Sequence, residues 1–354
     1  MALEKVSIRN FRNVKSSDLG FEGNNIIISG KNMSGKTNTL NAIHWAFTGV
    51  TLDGSNDNRA NFPIVEKGVA IPTTSVKLDF GDFIFERVCE VVDGTPTVSI
   101  YIDGDKTTSI KNGEARLHAK LGLTDIILTQ PKGFNIVRFL LNPLYFDTCA
   151  PKDLRKFFYN LANINLSEMA QKQTKGVVGM LEKYQISEPY ALSDAIASKK
   201  KATKKTIETC KGARALFPSI EEESLKLEKE QSKVLKEIES DEALAEKYAL
   251  SISKFVNDFY QRAMGIKVCL LEKGVGDDVF KDVCYPILPE SELPFAVGSY
   301  AERSYVGIRF IQEVCLKWEI KPLPILLDNM ESLDRYTSAF VDSLGVQYIG
   351  ALVK

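Results

Sequence analysis

The sequence predicts an α/β fold, and three observations carry that prediction. An apolar run, Asn25 to Ser29 (NIIIS), leads into a glycine-rich turn and then a helical pattern through Trp45 and Phe47. Far downstream a second apolar run, Pro324 to Asp328 (PILLD), ends on an acidic residue, and a third, VQYIGALV, follows at 346–353. Short apolar runs of this kind read as buried strands of a parallel sheet. Between the ends, residues 75–110 alternate with period two (SVKLDF, FIFERV, TVSIYIDG), the pattern of half-buried antiparallel strands.

Each element has its own punctuation. Leu3, Val6 and Ile8 alternate as a strand entering the fold, and Gly49 stops the helix after the glycine-rich turn. Asp93-Gly94 and Asp103-Gly104 mark two tight hairpin turns. Residues 134–165 carry mixed helical patterns. From about 188 to 250 charge dominates: lysines and arginine at 199–214 come first, and glutamates at 221–239 follow. Leu227, Val234 and Ile238 stand at heptad positions. Two helices folded back at Phe217-Pro218 would set the basic arm against the acidic one. The plain reading is a solvated hairpin with salt bridges between its helices, and the sharper one a DNA-facing surface. A further helix is expected at about 300–318.

Composition narrows the class. Apolar residues make up 44% of the 354-residue chain, enough for a sizeable core, and a net charge of −1 gives no global field for nucleic acid. Six cysteines include no C-x-x-C pair, so reduced thiols are expected rather than a zinc site or disulfide framework. No secretory h-region opens the sequence, and no apolar run reaches the ~18 residues of a membrane span. A soluble, cytoplasmic protein with no membrane partner is expected.

The turn itself carries chemistry. Gly30, Lys31, Asn32, Met33, Ser34, Gly35, Lys36 and Thr37 match G-x-x-x-x-G-K-[ST]. The glycines let backbone N–H groups curl around a phosphate at a helix N-terminus. Lys36 is placed to reach the β- and γ-phosphates, and the Thr37 hydroxyl to ligate Mg²⁺. Asp328, at the end of an apolar strand, fits the second carboxylate on the Mg²⁺ side.

The segment from Val6 to Gly49, with IRNFRN and IIISGKNMSGKTNTLNAIHWAFTG, resembles the N-terminal half of RecF, SMC and SbcC-type ATPase heads. The long gap to Asp328, filled by a charged helical stretch, fits the same family, and the short arm resembles its phage-type members. The resemblance implies a P-loop NTPase of the ABC-ATPase head type, with an antiparallel β-subdomain and an inserted helical hairpin. It implies an N-terminal lobe over 1–187, an antiparallel coiled-coil arm over 188–250 and a C-terminal lobe over 251–354. ATP and Mg²⁺ are the implied cofactors. The implied partners are a second copy of the chain joined through the ATP sites, DNA, and a nuclease or recombinase.

Residue by residue, Arg12 matches an arginine near the phosphates, Gln130 the Mg²⁺-contacting glutamine, and Ser299 the serine of the signature helix, with Tyr300 and Ala301 where the glycines would stand. Asp334, in Ser332-Leu333-Asp334, matches the loop that crosses the dimer interface. The water-activating glutamate is replaced by Asn329, which can hydrogen-bond water but not take its proton; Glu331 is the nearest substitute. The switch histidine is absent, and His44 is expected to pack. The implied function is slow ATP hydrolysis in DNA repair, recombination or replication. The alternative is a non-hydrolysing, ATP-gated scaffold; a transporter subunit and an anti-phage defence ATPase fit less well.

Overall fold

The computed structural model describes residues 2–65, 69–216, 219, 221–274, 280–343 and 345–353. The expected turn at Phe217-Pro218 lies outside them. The chain forms two compact units, residues 1–150 with 290–354, and residues 151–289. The sequence boundary at 187 falls inside the second unit, and 251 falls within one of its helices.

The first unit opens with strands β1 (Lys5–Phe11) and β2 (Val14–Gly20), then β3 (Ile26–Gly30) and helix α1 (Lys36–Thr48). Next come β4 (Thr74–Asp79), β5 (Ile84–Val92), β6 (Thr95–Ile102) and β7 (Asp105–Lys106), followed by α2 (Ile110–Lys120), α3 (Thr124–Thr129) and α4 (Ile136–Leu141). The second unit holds α5 (Pro151–Leu161), α6 (Leu166–Gln171), α7 (Lys175–Tyr184), α8 (Pro189–Leu216) and α9 (Glu221–Met264). It also holds the short strands β8 (Lys267–Cys269), β9 (Glu272–Lys273), β10 (Phe280–Lys281) and β11 (Tyr285–Ile287). The chain then returns to the first unit with α10 (Tyr300–Lys317), β12 (Ile325–Leu327), α11 (Arg335–Ser343) and β13 (Tyr348–Val353).

Two sheets organise the first unit. One is antiparallel, in the order β2-β1-β4-β5-β6-β7; the other is parallel, in the order β12-β13-β3. The PILLD and NIIIS runs therefore share one sheet, with the last strand between them. α1 packs against β1 and β4 on one side and the parallel strands on the other. Residues 39–47 are all buried, so the helix is enclosed nearly all round, with the polar Thr39, Asn41 and His44 buried beside its apolar residues. Its C-terminus closes on Gly49 in the left-handed region (φ 76°), whose N–H bonds the Trp45 carbonyl. Both Asp-Gly turns have left-handed residues at both positions, as two-residue type I′ turns require.

One strand departs from expectation. NIIIS reads as buried, yet Ile27 is 48% exposed. β3 is the end strand of its sheet and pairs only with β13, so one edge and part of one face stay open.

In the second unit α8 and α9 run antiparallel. Lys200 meets Glu242 at 2.6 Å, Lys211 and Arg214 reach Glu228, and the Ser224 hydroxyl donates to the Cys210 carbonyl. The basic arm does lie on the acidic one. Apolar packing follows a seam through Ile238, Ala245, Tyr248, Ile252, Val256 and Tyr260, and α9 runs on to Met264. Of the three heptad residues, Ile238 is buried, whereas Leu227 is 42% exposed.

Candidate functional site

The glycine-rich turn links β3 to α1, and its bend depends on glycine backbone conformation. Gly35 caps α1 at φ 94°, where a side chain is strained; an added Cβ would also sit 3.2 Å from Asn13 Oδ1. No side chain caps the helix there, so the N–H groups of its first turn are free for an anion, at the positive end of the helix dipole. Met33 is also left-handed (φ 64°) and almost wholly exposed. Lys36 is 8% exposed, and its Nζ donates to the Gly30 and Lys31 carbonyls at 2.9 and 2.7 Å. The ammonium is thus folded under residues 30 and 31, with Asn32, Met33 and Ser34 forming the crest.

The second end of the site arrives on β12. Ile325, Leu326 and Leu327 are buried, and Asp328 emerges beyond them, where its Oδ1 accepts from the Thr37 hydroxyl at 3.0 Å. Asn329 is left-handed (φ 53°), which turns the chain sharply. Met330 then lies over Gly350, where a Cβ would come within 1.8 Å of its sulfur, and Glu331 Oε2 accepts from the Val353 N–H at 3.1 Å. Lys36, Thr37, Asp328, Asn329 and Glu331 together line a cleft of about 170 Å³, with Asn13 and Asn38 at its rim.

A larger cleft, about 410 Å³, shares Thr37, Asp328 and Asn329 and continues to Asn41, Asp53, Asn142, Asp147, Tyr300 and Arg303. Arg303 on α10 pairs with Asp147 at 2.7 Å. Burial nevertheless pushes the Asp147 carboxyl above its ordinary value, outweighing the nearby guanidinium. The Tyr300 phenol is pushed up as well, chiefly by burial and then by the negative charges of Asp328 and Glu331.

The remaining predicted residues fall elsewhere. Arg12 lines neither cleft; it donates to Asn38 Oδ1 at 3.2 Å. Ser299 caps α10 in a capping box: its hydroxyl accepts from the Glu302 N–H at 3.2 Å, and Glu302 Oε2 accepts from the Ser299 N–H at 3.0 Å. Asp334 caps α11 by accepting from the Thr337 N–H at 2.6 Å. Gln130 closes α3, donates to the neighbouring Thr129 hydroxyl and lines neither cleft. The larger cleft that holds Thr37 and Asp328 is also lined by the amides of Asn41 and Asn142; Asn142 is 8% exposed, its Oδ1 accepts from the Leu144 N–H at 2.9 Å and its Nδ2 donates to the Leu52 carbonyl at 3.4 Å. The sequence mark of Asn142 is an Asn-Pro step closing the apolar run of α4. Asn13 and Asn38 carry no such mark; both flank motif residues, but nothing in their identity distinguishes them from ordinary turn and helix asparagines. His44 packs, fully buried, with Nδ1 bonded to the Val50 carbonyl at 2.8 Å. Burial depresses its pKa to about 4.

With this geometry in place, the chain matches the AAA domain family (AAA_23) over residues 5–248, well over half its length, and it belongs to that family. It is 24% identical over 143 residues to the DNA replication and repair protein RecF of Desulforamulus reducens, covering 39% of this chain and 33% of that protein. The aligned part thus spans about a third of the relative's length. Among solved structures it is similar to an Smc head domain with an extended coiled coil, bound to the C-terminal domain of ScpA, from Pyrococcus furiosus. That pair is 15% identical, with a TM-score of 0.49 and coverage of 100% and 90%. It is also similar to the recombination mediator RecF with ATP, at 16% identity, a TM-score of 0.45 and coverage of 99% and 93%. Family membership and the curated relative agree with the RecF/SMC-type head read from the sequence. No helix among the described residues is long and apolar enough to cross a membrane.

Proposed function

We propose that the smaller cleft binds the phosphates of ATP together with Mg²⁺, and that the protein hydrolyses ATP slowly. The observation that carries this is the hydrogen bond between Thr37 and Asp328, which joins the P-loop to a strand end 291 residues away, beside the buried Lys36. A hydroxyl and a carboxylate are hard oxygen donors, the set Mg²⁺ prefers when its other ligands are water and phosphate. Among the described residues no cluster of three or more His, Cys, Asp or Glu forms an all-protein metal cage, in keeping with that shared coordination. When bound, the ion would offset charge developing on the phosphates.

The chain's own groups divide the work. The free N–H groups at the start of α1 receive the phosphates, and Lys36 exchanges its two carbonyl partners for phosphate oxygens. Asn329 orients water but cannot deprotonate it. Glu331, held on β13 by the Val353 N–H, supplies the carboxylate that does. Ser299 and Asp334 are proposed to face the nucleotide of a second copy in an ATP-bound dimer, and a role in DNA replication and repair is proposed because the RecF relative carries that name. DNA contact is proposed to be weak, nonspecific and salt-sensitive, since Lys200 and Lys211 of the arm already answer glutamates on α9. A nuclease or recombinase partner belongs to the same reading. Asn329 favours the second reading, an ATP-gated clamp with negligible turnover.

Calorimetry decides the first step. Lys36→Ala is expected to weaken ATP binding more than about 100-fold, and Asp328→Ala to remove only the part of the affinity that depends on Mg²⁺, a loss of about tenfold. Wild-type affinity in Lys36→Ala would end the proposal.

A further inference from the structure

Beside the P-loop runs a chain of side-chain hydrogen bonds, two of whose members, Asn13 and Asn38, stand at the rim of the smaller cleft. Arg12 Nη1 donates to Asn38 Oδ1 at 3.2 Å. Asn38 Nδ2 donates to Asn13 Oδ1 at 2.8 Å, and Asn13 Nδ2 donates to the Met33 carbonyl at 3.2 Å. The direction of this chain comes from chemistry. A guanidinium has donors only, so it must face the oxygen of Asn38. That turns the Asn38 NH₂ toward Asn13, occupies the Asn13 oxygen and leaves the Asn13 NH₂ for Met33. Reversing the Asn38 amide would set its NH₂ against the donors of Arg12, and reversing Asn13 would set carbonyl against carbonyl at Met33. One cation thereby orders two amides and delivers an N–H to the backbone of the P-loop.

Both ends of the chain are placed for this. Met33 holds a left-handed backbone with its side chain in solvent, so local packing does little to keep it there. At the other end, the turn carrying Arg12 is pinned to the antiparallel sheet and its loops. The Arg12 N–H donates to the Asn61 carbonyl at 2.9 Å, Asn10 Nδ2 to the Thr73 carbonyl at 3.0 Å, and the Thr74 hydroxyl to the Asn10 carbonyl at 2.7 Å. The same turn backs directly onto Gly35, with Asn13 Oδ1 and Val14 Cγ2 at 3.2 and 3.3 Å from the place of a Cβ.

We propose that Arg12, Asn38 and Asn13 form a positioning relay that holds the P-loop backbone in its anion-binding shape before nucleotide arrives. In this role Arg12 acts through the two amides and not on phosphate. The effect on affinity rests on the nucleotide-binding reading of the cleft; the effect on the loop does not.

The test is hydrogen exchange of amides 31–35 in the full chain without nucleotide, paired with ATP affinity by calorimetry. Asn38→Asp and Asn13→Asp each keep size and replace the donor NH₂ by an acceptor oxygen. Both are expected to speed exchange about fivefold and weaken ATP binding by a similar factor. Arg12→Gln, which no longer dictates the sense of the amides, is expected to do the same, while Arg12→Lys keeps a donor and stays near wild type. Melting temperatures are expected to stay within about 2 °C of wild type, which separates a loosened loop from general destabilisation. Unchanged exchange in both asparagine variants would overturn the relay. So would an Arg12→Gln that weakens ATP binding but leaves exchange alone, because that pattern marks a direct phosphate contact. If Lys36→Ala left ATP affinity intact, the nucleotide reading would fall while the exchange result stood by itself.

Discussion

Residues 30–37 and residues 328–334 meet in one cleft but hold their shapes by different means. The P-loop is first a backbone device, braced at Met33 by the Asn13 amide. Its key features are a glycine at φ 94°, uncapped N–H groups and a lysine folded onto its own carbonyls, all local in sequence. The loop after β12 is a side-chain device. Its left-handed Asn329 sets a sharp turn, and the next two residues are fixed by contacts with β13: Met330 on Gly350, and Glu331 on the Val353 N–H. A backbone device tolerates little change in its motif. A side-chain device can move its chemistry along the chain, and that accounts for a carboxylate three residues past Asp328 lining a cleft where the one next to it would be expected.

The sharpest way to break this comparison is at Glu331. Steady-state turnover of Glu331→Gln is expected to fall about 10²–10⁴-fold with ATP affinity nearly unchanged, as loss of a general base does. Asn329→Glu is expected to raise turnover if position 329 still faces the water. A wild-type rate in Glu331→Gln would show that this loop carries no base and that the two devices differ only in shape.

A weaker effect is expected in the slope of stability against pH, on the P-loop side. His44 has a pKa of about 4 in the fold against an ordinary value of 6.5, because burial disfavours its charged form. A depressed pKa stabilises the fold fully above about 6.5, and that stability is lost as pH falls through 4. Between pH 7 and 5 the loss from His44 is about 2 kcal/mol. The partly buried His118 is shifted in the same direction and adds to it. Urea unfolding at the two pH values measures the sum, and His44→Gln should remove the larger part. A flat profile in the wild type would show that α1 admits a charged imidazole and is less tightly packed than the P-loop requires.

Gly350→Ala probes the anchor of the other loop from outside its motif. The new methyl would displace the Met330 side chain, which is half-buried and can swing away, so a loss of about 1–2 kcal/mol is expected in thermal unfolding. Turnover should drop more than ATP affinity, since Glu331 moves and the P-loop does not. Equal losses in both would erase the distinction between the loops. The smallest effect concerns α10: Ser299→Ala should cost about 1 kcal/mol of stability through its capping box, whatever the residue does in a dimer.

How much of this was legible depended on whether neighbours in sequence are neighbours in space. The strand-turn-helix around Lys36 and the two Asp-Gly turns could be read because period and turn chemistry are local, and the two apolar runs could be set parallel in one sheet because both need burial and crossovers are right-handed. Gln130 and Asn142 show the opposite case. Both are polar residues at helix ends near a proline, and only the packing of α4 near β12 decides that Asn142 lines the larger cleft while Gln130 lines neither.

The sequence alone determined that a phosphate-binding turn exists, where it starts and that an acidic strand end would join it, because each is written in a few contiguous residues with strong conformational preferences. Only the tertiary structure decided which amides and carboxylates stand in the clefts. A side chain's reach into a site depends on the register of β12, β13 and β3 and on contacts such as Met330 with Gly350, which join residues far apart in the chain and leave no periodic trace.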